Sequence, residues 1–327
     1  MSLSIVRFIQ SDNISAKRDR SAPCWGILEG KVVYPLTLPC KSTGELLAHD
    51  PAELRQAKVE GQSLPLDKLQ LLSPITRDAK VMCLGANYRQ HMIDSGMDPD
   101  VKRFNMMFTK SSASIHHPVG EIIRPKHVDL LDYEVELTLV LGKETNDSVT
   151  VTQDNLHEYV AGVCIGNDIS ARDVQIPQMQ FHKGKSYRTF CPLGPILCLL
   201  EKHEIQYLDN LQLSLSVNGE LRQNDSTANL VYKPAESLTE LSQIADFKPG
   251  DVLMTGTPSG CALGLPSPFI VRTTALLPDH LRYRLFHEAQ RRRSQYLKDG
   301  DIVEASIFSS DGKINLGIQK HKVVSEG

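Results

Sequence analysis

The sequence has no apolar run near the ~18 residues needed to cross a membrane, and no signal-peptide hydrophobic region near its start. Neither charge sign dominates. Thirty-six Lys and Arg stand against 39 Asp and Glu, a net charge of -3, which gives no reason to expect nucleic acid or an anionic membrane surface as partner. The seven cysteines (Cys24, Cys40, Cys83, Cys164, Cys191, Cys198, Cys261) are odd in number and contain no C-x-x-C, so reduced thiols in a cytoplasmic setting are expected and a zinc cluster is not. There is no internal repeat and no low-complexity tract. Lys183-Gly184-Lys185-Ser186 lacks the G-x-x-x-x-G-K-[ST] spacing of a phosphate loop, which argues against nucleotide binding. What remains is a chain of 327 residues, 41% hydrophobic and 23% charged, in the range of an ordinary globular protein of one large domain or two.

The most informative stretch is Asp132 to Gly142. Tyr133, Val135, Leu137, Leu139 and Leu141 alternate with Asp132, Glu134, Glu136, Thr138 and Val140, the period of a half-buried strand. The three acids then share a face, with neighbours about 7 Å apart. Carboxylates held that close on a packed strand repel unless protonated or neutralised by a cation. A solvated edge with a chance run of acids is the competing reading.

Residues 1–75 read as a small N-terminal unit of short strands (Ser4–Phe8, Cys24–Leu28, Lys31–Pro35) and a helical stretch near Ser42 to Val59, with no side chain that suggests chemistry. Lys80 to Gly85 is an apolar strand running into Ala86–Asp94. On a helix His91 and Asp94 share a face, the layout of a general base oriented by a carboxylate. His116, His117 and His127 sit in turn-rich sequence and read as surface or loop histidines. Val160 to Gly166 is a buried strand followed by Asp168 and Arg172. That pair is either a helix cap with its ion pair, or a third carboxylate with a cation for an anionic ligand. Asn218-Gly219 marks a hairpin. Thr255-Gly256-Thr257-Pro258, at the end of the strand Val252–Met254, offers N–H groups and hydroxyls for an anion.

Seven pieces in order resemble the fumarylacetoacetate hydrolase superfamily over nearly the whole chain: Gly85-Ala86-Asn87-Tyr88 with His91, Asp132 to Leu137, Asn167 to Asp173, Lys185-Ser186, Pro192 to Pro195, Val217 to Glu220, and Thr255 to Pro258. The resemblance implies an α+β, mainly β architecture, with a mixed β-roll catalytic domain over 76–327, and a homodimer. It also implies a divalent cation held by Glu134, Glu136 and Asp168. An all-oxygen donor set suits Mg²⁺ or Mn²⁺, with Ca²⁺ able to substitute, better than zinc. The implied substrate is a small 2-oxo or 1,3-dicarbonyl acid, with His91, Asp94 and Lys185 catalytic and Arg172, Gln175, Thr257, Lys110 and Tyr88 binding substrate. The reaction expected first is metal-dependent hydrolysis of a C–C bond in an acylpyruvate or fumarylpyruvate. Oxaloacetate decarboxylation or keto–enol tautomerisation is the alternative, and a non-catalytic 2-oxo acid-binding protein is the second.

Two positions depart from the family pattern. Asp94 stands where hydrolytic and decarboxylating relatives carry Glu, and Ala86 where some members place an arginine. A segment of about 261–298 is also inserted after the T-G-T-P corner. Pro278-Asp279 starts a helix of about four turns there, with Leu281, Leu285 and Ala289 at helical spacing. It is expected either to cover the active-site mouth as a lid or to be a surface elaboration away from it.

Overall fold

The computed structural model describes residues 2–10, 22–59, 61–264, 273 and 276–327. Among them, two large sheets carry the fold, which is the α+β, mainly β arrangement expected. The larger has 11 strands, in the order Leu64–Pro65, Val32–Pro35, Cys24–Glu29, Leu3–Gln10, Leu197–Leu199, Val160–Asn167, Val135–Leu141, Val252–Met254, Val81–Gly85 and Met106–Lys110, with Leu69–Leu72 pairing off Leu3–Gln10. The N-terminal strands extend this sheet directly, through the antiparallel register Leu3↔Leu199 and Ile5↔Leu197. The second sheet has five strands, in the order Glu220–Ser226, Leu211–Val217, Ile302–Ser309, Asn315–Ser325 and Val119–Arg124. No helix among the described residues is long and apolar enough to cross a membrane.

The acidic strand is central and buried on both faces, where alternation alone suggests one solvated face. Val135–Leu141 pairs with Val160–Asn167 on one edge and Val252–Met254 on the other. Its alternating residues enter different cores. Leu137, Leu139 and Leu141 join the large cluster that includes Leu213 and Ile307, and Val140 packs with Val252, Met254 and Cys164. Glu134 and Glu136 therefore stand on the face that becomes apolar further along the strand, at the end where that second core stops.

Regular pairing is interrupted at the acids. Leu131–Asp132 pairs with Ser170–Ala171, but between the two ladders Glu134 N donates to the side chain of Asn167 (3.0 Å) and Asp168 N donates to Glu134 O (2.8 Å). A side-chain amide thus stands in for a ladder carbonyl, and the chain departs from flat pleating where the carboxylates project. The Asn218-Gly219 hairpin forms as expected, with φ of 52° and 79°, the left-handed pair that a tight two-residue turn between right-twisted strands requires.

Two expectations fail here. His116 is not a solvated loop histidine. Its ring stacks on His117 and packs 5.8 Å from the ring of His321, and burial followed by the neighbouring imidazoles lowers its pKa to about 4. Burial lowers His321 to about 4 as well, with its Nε2 against His117 O at 2.8 Å. Both rings are neutral in the native state, whereas in the unfolded chain they take up protons below about 6.5. Stability is therefore lost as pH falls from about 6.5 to about 4, by about 3 kcal/mol for a fully buried ring. The expected result in acid titrations followed by thermal unfolding is that His321→Gln loses stability less steeply than wild type across that window. Parallel curves would assign the acid sensitivity to other groups.

The inserted helix is also differently oriented. It spans Asp279–Arg291, close to the expected length, but its one buried side chain is Gln290. Phe286 packs against the main core while Leu285 is exposed and Ala289 faces solvent. The two rows are one residue apart, a rotation of ~100° on the helix.

Candidate active site

Seven ionisable side chains from five segments converge beneath a cavity of about 570 Å³, and none of them is more than 5% exposed. The strand end gives Asp132, Glu134 and Glu136, and the end of Val160–Asn167 gives Asp168. Arg172 begins the short helix Arg172–Gln175, Lys185 closes Phe181–Lys185, and Lys110 ends Met106–Lys110. The Lys185 ammonium donates to Glu134 Oε2 (2.6 Å) and to Asp168 Oδ2. Lys110 pairs with the other oxygen of Asp168. Arg172 donates from Nε to Asp132 Oδ2 (2.8 Å), from Nη2 to Glu134, and from Nη1 to Gln175 Oε1 (2.7 Å). Of the two readings open for Asp168, helix cap or third carboxylate, the second is the geometry found: the helix it precedes has no side-chain cap.

Glu136 is the exception in this network. Among the described residues it accepts one hydrogen bond, from Gly256 N at 2.8 Å, and no base pairs with it. Burial, then Asp168 and Glu134, push its pKa well above the carboxylate range. Burial also opposes ionisation of Glu134, but Arg172 and Lys185 outweigh it and hold that group below the range. Lys185, despite burial, is held above its ordinary value by Asp168 and Glu134 and stays an ammonium. Four acids against three bases leave one negative charge in excess. Ligand oxygens of Glu134, Glu136 and Asp168 lie within 4.8 Å of one another. That donor set fits a hard divalent cation, which removes the repulsion that keeps Glu136 protonated.

His91 lines the same cavity, on the helix Arg89–Asp94. Burial lowers its pKa, partly offset by Glu134, so the ring is neutral at pH 7 and can accept a proton. The expected His91–Asp94 pair is not formed. Asp94 accepts instead from Gln90 Nε2 (2.8 Å) and from Ser259 Oγ, and the Ser259 bond holds its pKa low. Its shorter side chain is tied to the loop that follows Pro258.

Gln175 and Thr257 also line the cavity, whereas Lys110 lies beneath it. Tyr88 is not at the site. Asn87 fastens this turn by donating to Tyr232 O (3.0 Å) and Thr255 O (2.9 Å), and the Tyr88 ring is carried into the main core. The T-G-T-P corner serves differently from the anion cradle expected. Gly256 N binds Glu136, Thr255 Oγ1 donates to Leu137 O (2.9 Å), and Thr257 Oγ1 donates to Val135 O (2.9 Å). Its donors hold the acidic strand.

Several residues at the site take roles that the sequence alone does not report. Asp132 bridges Arg172 to the start of the insert, accepting from Ala262 N (2.7 Å) and Leu263 N (3.0 Å). The Cys261 thiol packs 3.9 Å from Glu134, and Gln223 reaches Thr257 Oγ1 (2.8 Å) from the second sheet. From the insert, Cys261, Leu263, Gly264 and Arg293 line the cavity, and no described residue of the helix itself does. Of the insert expected as a lid, residues 265–272 and 274–275 lie outside the described residues.

Residues 80–324 match the family described as fumarylacetoacetate (FAA) hydrolase C-terminal, and residues 5–74 match a family described as Rv2993c-like, N-terminal. An oxaloacetate tautomerase of Bacillus subtilis is 37% identical over 212 residues, 64% of this chain and 68% of that protein. A mitochondrial oxaloacetate tautomerase of Xenopus laevis is 31% identical over 278 residues, 83% and 85% of the two chains. Among solved structures, a fumarylacetoacetate hydrolase from Exiguobacterium antarcticum superposes with a TM-score of 0.72 at 28% identity, covering 99% of this chain and 100% of that one. The chain belongs to the fumarylacetoacetate hydrolase superfamily.

Proposed function

We propose that the protein is a divalent-metal-dependent tautomerase that interconverts the keto and enol forms of a small 2-oxo acid of the oxaloacetate type, with Mg²⁺ or Mn²⁺ as the ion. One observation carries this over C–C hydrolysis: His91 is neutral and recessed in the cavity but makes no hydrogen bond to Asp94, whose two oxygens accept from Gln90 and Ser259. A lone neutral imidazole suffices to move a proton between carbon and oxygen of a bound acid. Activating water for attack on a carbonyl is the task for which an oriented His–carboxylate dyad is built. The tautomerase relatives support the same choice.

The residues divide the work as follows. Glu134, Glu136 and Asp168 would hold the ion, which when bound supplies Lewis acidity toward the 2-oxo carboxylate. His91 takes a proton from C3 and its imidazolium then gives that proton to the enolate oxygen; in the reverse direction it takes the proton from the enol oxygen and returns it to C3. Lys185 stays charged and so provides fixed positive charge beside the developing enolate oxygen without giving up its own proton. Arg172 and Lys110 hold Glu134 and Asp168 in place, and Gln175, fixed by Arg172 Nη1, presents its amide to the cavity.

The test is a substrate panel with Mn²⁺-loaded protein. Loss of the enol absorbance of oxaloacetate is expected well above the spontaneous rate, with no acid fragment released from a simple acylpyruvate or from fumarylpyruvate. Cleavage of either with comparable efficiency would return the assignment to hydrolysis.

A further inference from the structure

The buried cluster spends its positive charge on its own acids. Arg172 uses all three nitrogens on Asp132, Glu134 and Gln175, Lys185 is divided between Glu134 and Asp168, and Lys110 is held by Asp168 and by Ile169 O at 3.3 Å. With a divalent ion added, the four acids and three bases come to a net charge of +1, enough for one carboxylate of a ligand. A second carboxylate on the same molecule needs a cation from elsewhere.

Arg293 supplies one. It follows the inserted helix and lines the same cavity. Nearby Arg291 pairs with Asp129 and Arg284 with Glu288, whereas Arg293 pairs with no acid among the described residues. Its Nε donates to Ala262 O at 2.7 Å. The guanidinium lies against Gly264, where a Cβ would collide with it, so only glycine allows this approach. Gly264 is itself clamped: Gln290 Nε2 donates to Gly264 O (2.6 Å), Gly264 N donates to Gln290 Oε1 (3.2 Å), and Tyr296 Oη donates to the same oxygen (2.8 Å). Ala262 N is held by Asp132, which holds Arg172. One chain of hydrogen bonds thus fixes Arg293 relative to the acidic centre, with neither Nη group bonded to another described residue.

We infer that Arg293 is the specificity residue for a distal carboxylate, so that the site selects dicarboxylic 2-oxo acids over monocarboxylic ones; this rests on the tautomerase reading above. The 2-oxo carboxylate end binds at the Glu134/Glu136/Asp168 centre and the far carboxylate accepts from Arg293 Nη1 and Nη2. A planar fork of donors suits a carboxylate better than an ammonium does.

The test compares wild type, Arg293→Gln and Arg293→Lys, all Mn²⁺-loaded, by calorimetric titration with oxaloacetate and with pyruvate. Wild type is expected to bind oxaloacetate more tightly than pyruvate. Arg293→Gln should weaken oxaloacetate by roughly 10–100-fold, the scale of a lost charged hydrogen bond, and leave pyruvate unchanged. Arg293→Lys should recover part of the loss. In turnover the loss should fall on KM more than on kcat. Equal weakening of both ligands, or no preference in wild type, overturns the inference. Because binding is read separately, selective loss of oxaloacetate affinity upholds the role of Arg293 even if no tautomerisation is seen, and in that case the proposed function fails and not the site.

Discussion

Replacing Glu136 by Gln abolishes metal-dependent stabilisation and leaves catalysis at background, while the metal-free protein unfolds at the same temperature as wild type or a higher one. Both halves follow from the local electrostatics. Glu136 is buried, has no base as partner among the described residues, and faces Asp168 and Glu134. A neutral amide of the same shape keeps the bond from Gly256 N and replaces a carboxyl that Asp168 and Glu134 already keep from ionising, which costs the apoprotein nothing. It also removes the ligand charge that a hard cation needs. In wild type an ion at about 100 times its Kd adds about 2.7 kcal/mol to stability. A Mn²⁺ titration of thermal unfolding reads this directly, and an undiminished shift in Glu136→Gln would remove Glu136 from the metal centre.

His91→Ala is expected to lower tautomerisation by about 10²–10⁴-fold, the usual contribution of a positioned general base, with metal stabilisation unchanged and partial rescue by added imidazole. The pH profile carries the sign. Burial depresses the His91 pKa, so the base stays neutral and active from neutral pH to below 6.5, and activity falls only as pH drops through the lowered value. In His91→Ala with imidazole, that acid limb should move up toward the ordinary value near 6.5. Asp94→Asn should change turnover little, since the Asp94 carboxylate is held by Gln90 and Ser259 and not by the imidazole. A loss in Asp94→Asn as large as that in His91→Ala would restore the dyad and with it the hydrolytic mechanism.

The centre of the site was legible because a period of two in sequence is a statement about one strand's own geometry. Glu134 and Glu136 share a face in any strand, and Asp168 closes the neighbouring strand beside them. The Asn218-Gly219 turn was legible for the same local reason. What pattern cannot report is the partner across a sheet edge or a cavity. The hydroxyls and amides after Met254 look free in sequence and are consumed by the backbone of Val135 and Leu137 and by the Glu136 carboxylate. Asp94 has the right spacing for His91 but bonds Ser259, 165 residues away. His116 is half-buried against His321, which belongs to a strand at the other end of the chain. In the run Arg291 to Arg293, nothing local distinguishes the residue at the cavity from the one paired with Asp129. The stripe Leu281, Leu285, Ala289 is narrow and does not report the helix face, because Gln290 is fastened to both backbone groups of Gly264 across the loop.

The measurement that bears most directly on the account is proton exchange at C3 of oxaloacetate in D₂O, followed by NMR with Mg²⁺-loaded wild type and His91→Ala. Wild type is expected to introduce deuterium at C3 far faster than the spontaneous reaction, with the four-carbon skeleton intact and no excess pyruvate, and His91→Ala to approach the spontaneous rate. Stoichiometric pyruvate from wild type, or exchange that survives loss of His91, would contradict a His91-driven tautomerase.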